Sequence, residues 1–169
     1  MITAELLTRM IKAGAGEVPA DLVIKNVRLL DVISGGVTHT DIAIVADRIV
    51  GTHGYYNGTG LIEGENRFAV PGFIDTHLHI ESSLVTPLEF DRCVLPHGVT
   101  TVICDPHEIA NVLGAEGIRY FLQSAERAIM DIRMNLSSCV PATAHETSGA
   151  RLEIADLEKF RNHKQVLGP

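Results

Sequence analysis

Two histidines one residue apart carry the clearest chemical signal in this chain. In Asp75-Thr76-His77-Leu78-His79, positions i and i+2 of an extended strand project to the same side. Both imidazoles can then reach one cation, and imidazole suits Zn, Mn and Fe alike. Asp75 falls on that side too, where a carboxylate can fix the tautomer of a ligating imidazole. Glu81 follows the pair, and a second polar cluster, Asp105-Pro106-His107-Glu108, lies further along. His145-Glu146 lacks ligand spacing. His39, His53 and His163 read as solvated, and His97, before Gly98, as a helix-end imidazole. No CxxC occurs, which excludes the zinc-deaminase pattern H-x-E…P-C-x-x-C.

The elements that must position these groups follow from periodicity. Residues 73–80 read as a strand and residues 86–95 as a helix, with Thr86 as N-cap and Pro87 at its first position. Residues 99–104 form a short apolar strand of the doubly buried type. Residues 115–130 place Ala115, Ile118, Leu122, Ala125 and Ile129 on one helical stripe. Ile132, Met134 and Leu136 alternate as in a strand, residues 152–162 suggest a third helix, and residues 165–167 can begin a fourth strand. This β-α-β-α-β-α-β order is the grammar of a parallel sheet or barrel. It puts the histidine pair at the carboxyl end of the first strand, where β/α barrels carry active sites. Residues 105–112 follow the second strand on the same rim and read as a polar loop leading to the helix near Ala115.

Ahead of this series, residues 3–12 space Leu6, Leu7, Met10 and Ile11 as an amphipathic helix ended by Ala13-Gly14-Ala15-Gly16. Residues 21–32, 41–50 and 61–70 read as strands of a small antiparallel layer, with a turn at Ala46-Asp47-Arg48. The expected organisation is therefore a helix in 1–20, a β-layer in 21–70 and the βα series in 71–169.

Composition narrows the function classes. Apolar residues make up 46% and charged residues 21%, ordinary for a chain with a real core, so global disorder is excluded. The formal charge of −7 argues against nucleic acid or an anionic membrane as partner. No apolar run approaches the ~20 residues that span a bilayer, and residues 1–10 lack the pattern of a signal peptide. Three cysteines without CxxC suit a reducing compartment, so a soluble, cytoplasmic protein is expected.

The decapeptide Val70-Pro71-Gly72-Phe73-Ile74-Asp75-Thr76-His77-Leu78-His79 resembles the signature of the amidohydrolase superfamily, metal-dependent hydrolases on a (β/α)8 barrel. Two stretches narrow the resemblance: Ile80-Glu81-Ser82-Ser83, and Cys104-Asp105-Pro106-His107-Glu108-Ile109-Ala110-Asn111-Val112. Together they are similar to the bacterial adenine deaminases over residues 21–167. The resemblance implies an α/β fold, the first half of a TIM-like barrel preceded by a small β-sandwich layer. It implies metal-dependent hydrolysis of adenine to hypoxanthine and ammonia, with Mn or Fe as the divalent ion and Zn as the alternative. His77 and His79 would be metal ligands with Asp75 behind them. Glu108 and Asp105 would be catalytic, and His107 and Glu81 substrate-binding. Such a reaction needs water to attack C6 while a ring nitrogen gains a proton, which a metal centre and a carboxylate together provide.

Length sets a limit on this reading. A complete barrel takes ~250 residues, so residues 71–169 suffice for roughly half of one. The family's bridging carboxylate or modified lysine, two further histidines and an aspartate come from the fourth and later strands, and two imidazoles do not fill a four-ligand shell. The chain is thus expected to be an amino-terminal portion that does not turn over by itself. A bare strand edge would favour a homo-oligomer. Two other readings are the front half of a dihydroorotase-like or hydantoinase-like amidohydrolase, and a non-catalytic, self-associating half-barrel module.

Overall fold

A computed structural model describes residues 2–168. The chain divides between Pro71 and Gly72 into two compact units. In the first, helix α1 (Ala4–Gly14) starts where the Thr3 hydroxyl accepts the Leu6 N–H at 3.2 Å, with Glu5 in its first turn and Lys12 in its last, as the helix dipole favours. Five strands follow: β1 (Ala20–Leu30), β2 (Val37–Val45), β3 (Arg48–Gly51), β4 (Gly58–Glu63) and β5 (Phe68–Ala69). Their order is β3-β2-β1-β4, with β5 also on β1.

The expected antiparallel layer is in fact mixed. β1–β2 and β2–β3 are antiparallel hairpins, whereas β4 and β5 both run parallel to β1. The chain crosses from β3, at one edge, to the other side of β1 before β4 begins, the kind of connection that parallel strands require. Met10, Ala13, Val23, Ala43, Val45 and Tyr56 form the core of this unit. A bulge in β1 puts Asn26 at φ 52°, and its N–H donates to Asp41 at 3.1 Å. Asp41 is fully buried and pairs with Lys25 at 2.5 Å.

The second unit is a parallel sheet whose strands lie side by side in chain order: β6 (Phe73–Leu78), β7 (Val99–Cys104), β8 (Asp131–Asn135) and β9 (Val166–Gly168). α2 (Pro87–Val94) is capped by the Thr86 hydroxyl on the Glu89 N–H and connects β6 to β7. α3 (His107–Leu113) and α4 (Ala115–Ala125) connect β7 to β8, and α5 (Ile154–Leu157) precedes β9. Ile80, Val102, Ile118, Phe121, Ile132 and Met134 are among its core. The α/β alternation read from the sequence is present.

Three segments differ from the sequence reading. The polar stretch after β7 is not all loop, since α3 begins at His107. The helix from Ala115 ends at Ala125, and Ile129, expected on its buried stripe, is 84% exposed. The buried Asp91 carboxylate of α2 explains this. It accepts the Ile129 and Met130 N–H groups at 2.9 and 3.0 Å, which pulls the chain out of the helix and aims it into β8. The helix expected over 152–162 shrinks to α5, because the chain must turn within residues 158–165 to enter β9.

Candidate metal and proton-transfer site

The carboxyl ends of β6, β7 and β8 lie next to one another because the strands are parallel and consecutive, so the residues just after them share a rim. His77 stands on β6, and His79 is the residue from which a 310 turn, Ile80–Ser83, starts. Their ring centroids are 5.5 Å apart. His79 Nδ1 lies 2.7 Å from the Asp105 carbonyl oxygen and 3.3 Å from Glu108 Oε2. Both oxygens are acceptors, so in the neutral ring Nδ1 carries the proton and Nε2 holds the lone pair. This is the arrangement in which a ligating imidazole is oriented by its other nitrogen. Asp75 Oδ1 accepts the His77 backbone N–H at 3.2 Å.

The residues after β7 meet His79 from the neighbouring strand. The His107 ring is 5.7 Å from that of His79, centroid to centroid. Its Nδ1 is 2.7 Å from Asp105 Oδ1, and that oxygen also accepts the Ser137 hydroxyl at 3.0 Å. Glu108 is held from the other side by the Ser82 hydroxyl, which donates to Oε1 at 3.0 Å. The start of α3 thus explains why residues two and three past Asp105 face back toward β6 rather than into a solvated loop.

Glu81 sits beneath this cluster. Its Oε1 accepts the Ile109 N–H at 3.1 Å, and its Oε2 is buried without a hydrogen-bond partner. Burial pushes its carboxyl above the usual range. The Ile109 N–H works against that shift, and the nearby Glu108 charge adds to it. The same burial, with Glu81 close by, pushes the thiol of Cys104 up to about 12.

The structure therefore brings His77, His79, Asp105, His107 and Glu108 together, with Glu81 supporting α3, while Asp75 bonds the main chain of His77. His145 and Glu146 stay within their own loop, where Glu146 accepts the Ala142 N–H. Sequence reasoning passed over Ser82, Ser137 and Cys139. The last two follow β8 directly, so the rim argument applied to the third strand would have found them. Among the described residues no three His, Cys, Asp or Glu side chains form a group that could hold an ion unaided. The fit to a divalent metal is that of a partial donor set. Two neighbouring imidazoles are available, one with its tautomer fixed, while His107 spends Nδ1 on Asp105.

The chain is similar to known proteins in sequence and in fold. Over 162 residues the chain is 65% identical to an adenine deaminase of Gluconobacter oxydans, covering 96% of this chain and 29% of that protein. It is 64% identical over 163 residues to an adenine deaminase of Brucella anthropi, with the same coverage. The chain thus spans about 29% of the length of the curated relatives it matches. Among solved structures, a zinc and atraton complex of an atrazine chlorohydrolase variant from Arthrobacter aurescens superposes with a TM-score of 0.59 at 16% identity, covering 87% of this chain and 45% of that one. The N-acyl-D-glutamate deacylase of Bordetella bronchiseptica, solved with zinc and a phosphonate inhibitor, gives 0.55 at 14% identity over 85% of this chain and 35% of that one. At such identities the likeness is one of fold. The profile of the Amidohydrolase family matches residues 68–167, the whole βα series with its histidine pair, and the chain belongs to that family.

Proposed function

We propose that these residues serve the hydrolytic deamination of adenine to hypoxanthine and ammonia. The observation that carries the reading is the 60–65% identity to adenine deaminases over 96% of the chain. In this proposal the four-stranded sheet is the first half of a (β/α)8 barrel, and the five-stranded layer is part of the flanking β-sandwich. His77 and His79 are two ligands of a divalent metal, Mn or Fe with Zn as the alternative. The chemistry such an ion supplies when bound is a hydroxide nucleophile at neutral pH.

The protein groups do the rest. The Asp105 carbonyl keeps His79 in the tautomer that presents Nε2. Glu108, steadied by Ser82, is the carboxylate best placed to move a proton between the attacking water and the purine, with Asp105 as its neighbour in that work. His107 stands at the substrate edge. Glu81 backs that edge by holding the Ile109 N–H and with it the start of α3. The partner is a small heterocycle, not nucleic acid or a membrane. Among the described residues no helix is long and apolar enough to cross a bilayer. The three cysteines, all free thiols, suit the reducing conditions of a cytoplasm.

A chimera tests this reading. The matched 162 residues of the Gluconobacter oxydans enzyme are replaced by those of this chain, and ammonia release from adenine is measured. The chimera should deaminate adenine, and His77→Ala or His79→Ala should lower the rate at least ~10²-fold and reduce bound metal. A folded, metal-loaded chimera without activity on adenine would refute the proposal, as would one indifferent to both substitutions.

A further inference from the structure

Helix α3 carries His107 and Glu108, yet apolar packing does little to anchor it. Of its seven residues only Ala110 is buried, and no side chain caps its first turn. A helix of two turns is marginal by itself, so its place on the rim must come from contacts outside it. Glu81 and Ser82 hold it from the β6 side, through the Ile109 N–H and the Glu108 carboxylate. The other holder is the connection after β8, which meets α3 at both ends. At the near end Ser137 donates to Asp105, and Cys139 Sγ lies 2.9 Å from His107 Nε2.

At the far end α3 is gripped by Ser148, Gly149 and Ala150. The Gly149 N–H donates to the Asn111 carbonyl at 2.9 Å, which satisfies one of the orphan carbonyls of the last turn. The Ser148 hydroxyl donates to the Ala150 carbonyl at 2.6 Å and lies 3.1 Å from both the carbonyl oxygen and Oδ1 of Asn111. The approach is close: a Cβ on Gly149 would stand 2.8 Å from the Val112 carbonyl oxygen and 3.1 Å from that of Asn111. Asn111 passes this grip back along the helix, because its Nδ2 donates to the His107 carbonyl at 3.1 Å, one turn earlier. It thus touches the strap on one side and the residue before Glu108 on the other.

We propose that Asn111 is a positioning residue: clasped by Ser148 and Gly149, it fixes the first turn of α3 so that Glu108 stays against His79. It touches neither metal nor purine and acts through the His107 main chain. The kinetic consequence rests on the deamination reading, whereas the geometric one does not. Misplacing a proton-transfer group by about 1 Å costs on the order of 10²-fold in rate. Such a loss falls on kcat rather than KM, since it removes an interaction made in the transition state.

The test uses the chimera described above, with rate, metal content and unfolding midpoint read together. Asn111→Ala should lower kcat for adenine at least ~10-fold, with KM changed less than ~3-fold and full metal content. Asn111→Ser should recover much of the loss, because a serine hydroxyl donates to the carbonyl four residues back, the same His107 oxygen. Gly149→Ala forces backbone apart at the strap and should lower kcat as Asn111→Ala does, which keeps the test open if that variant folds poorly. Asp91→Ala, which destabilises the same unit from α2, should leave kcat per folded enzyme within ~2-fold. In the 169-residue chain, where no activity is needed, Asn111→Ala and Gly149→Ala should each move the His79 imidazole resonances and Asp91→Ala should not. The proposal is overturned if Asn111→Ala and Gly149→Ala keep kcat, if Asn111→Ser is no better than Asn111→Ala, if Asp91→Ala loses as much, or if the His79 resonances stay in place. A chimera inactive with Asn111 intact would instead refute the deamination reading, and the His79 resonances would then decide the positioning role.

Discussion

Replacing Asp41 by alanine should unfold the first unit at denaturant concentrations that leave the native chain intact. The carboxylate is fully buried and serves three donors: Lys25 Nζ at 2.5 Å and the N–H groups of Asn26 and Tyr56 at 3.1 Å each. Removing one member of a buried ion pair typically costs ~3–5 kcal/mol. Lys25 is 28% exposed and keeps a bond to the Tyr56 carbonyl at 3.1 Å, so water and that oxygen recover part of the loss. The two amides left without an acceptor add ~1–3 kcal/mol each where they are shut off from water. The expected loss is therefore about 4 kcal/mol, a large share of the ~5–15 kcal/mol that holds a small domain together. Asp41→Asn keeps an acceptor but no charge and should lose roughly half as much.

The acid dependence has a definite sign. Burial pushes the Asp41 carboxyl up, but the Lys25 ammonium and the two amides outweigh it and hold the group below the ordinary carboxylate range. The folded state then binds this proton less tightly than the unfolded state does. Its contribution is fully present above the unfolded value of ~3.9 and fades as pH falls through the lower folded value. Urea unfolding followed by hydrogen exchange in β1 and β2 should show a constant gap between native chain and Asp41→Asn down to pH ~5, narrowing below ~4. An Asp41→Ala loss under ~1 kcal/mol, or a gap that widens in acid, would refute the reasoning.

Three further outcomes are expected. Asp91→Ala strips the acceptor from the Ile129 and Met130 N–H groups and should cost ~2–4 kcal/mol, read by thermal unfolding, with the lead into β8 exchanging fastest. Gly117→Ala puts a Cβ 2.7 Å from the Ile109 carbonyl oxygen; because that neighbour is backbone, α3 must shift, for ~1–3 kcal/mol and visible changes in the His107 and His79 imidazole resonances. A polypeptide of these 169 residues should release no ammonia from adenine above background with added Mn, Fe or Zn, because two imidazoles leave an ion short of donors; robust turnover would contradict the partial donor set described here.

The βα series was legible because period-2 and period-3.6 runs alternate cleanly after Pro71, and the capped start at Thr86-Pro87 is a strong local signal. That the His77 and His79 rings lie close together was legible from spacing alone. What escaped was set by contacts that no local pattern records. The parallel placement of β4 depends on which side of β1 the chain returns to. The end of α4 depends on Asp91, some forty positions earlier, capturing two amides. The beginning of α3 was hidden by polar Asp105, His107 and Glu108, which look like loop residues until their partners His79, Ser82 and Ser137 are known. The Asp105 carbonyl on His79 is a main-chain group and leaves no trace in residue type. Cys139 was read only as evidence about redox compartment, because its partner His107 lies on another connection.

The order β6-β7-β8-β9 has a consequence for synthesis. Each strand pairs with the one made just before it, so the sheet grows at a single edge as the chain leaves the ribosome, and no strand waits for a later one to be inserted beside it. Every β-α step lays its register on a template already complete. In sheets whose chain order jumps, an early strand stays unpaired until distant sequence arrives. Here the exposure time of any strand is set by one intervening connection, about the time a ribosome needs to make ~30 residues, a few seconds. Slowing translation within residues 105–130 should therefore lengthen the lifetime of one bare edge, that of β7, and leave β6 paired.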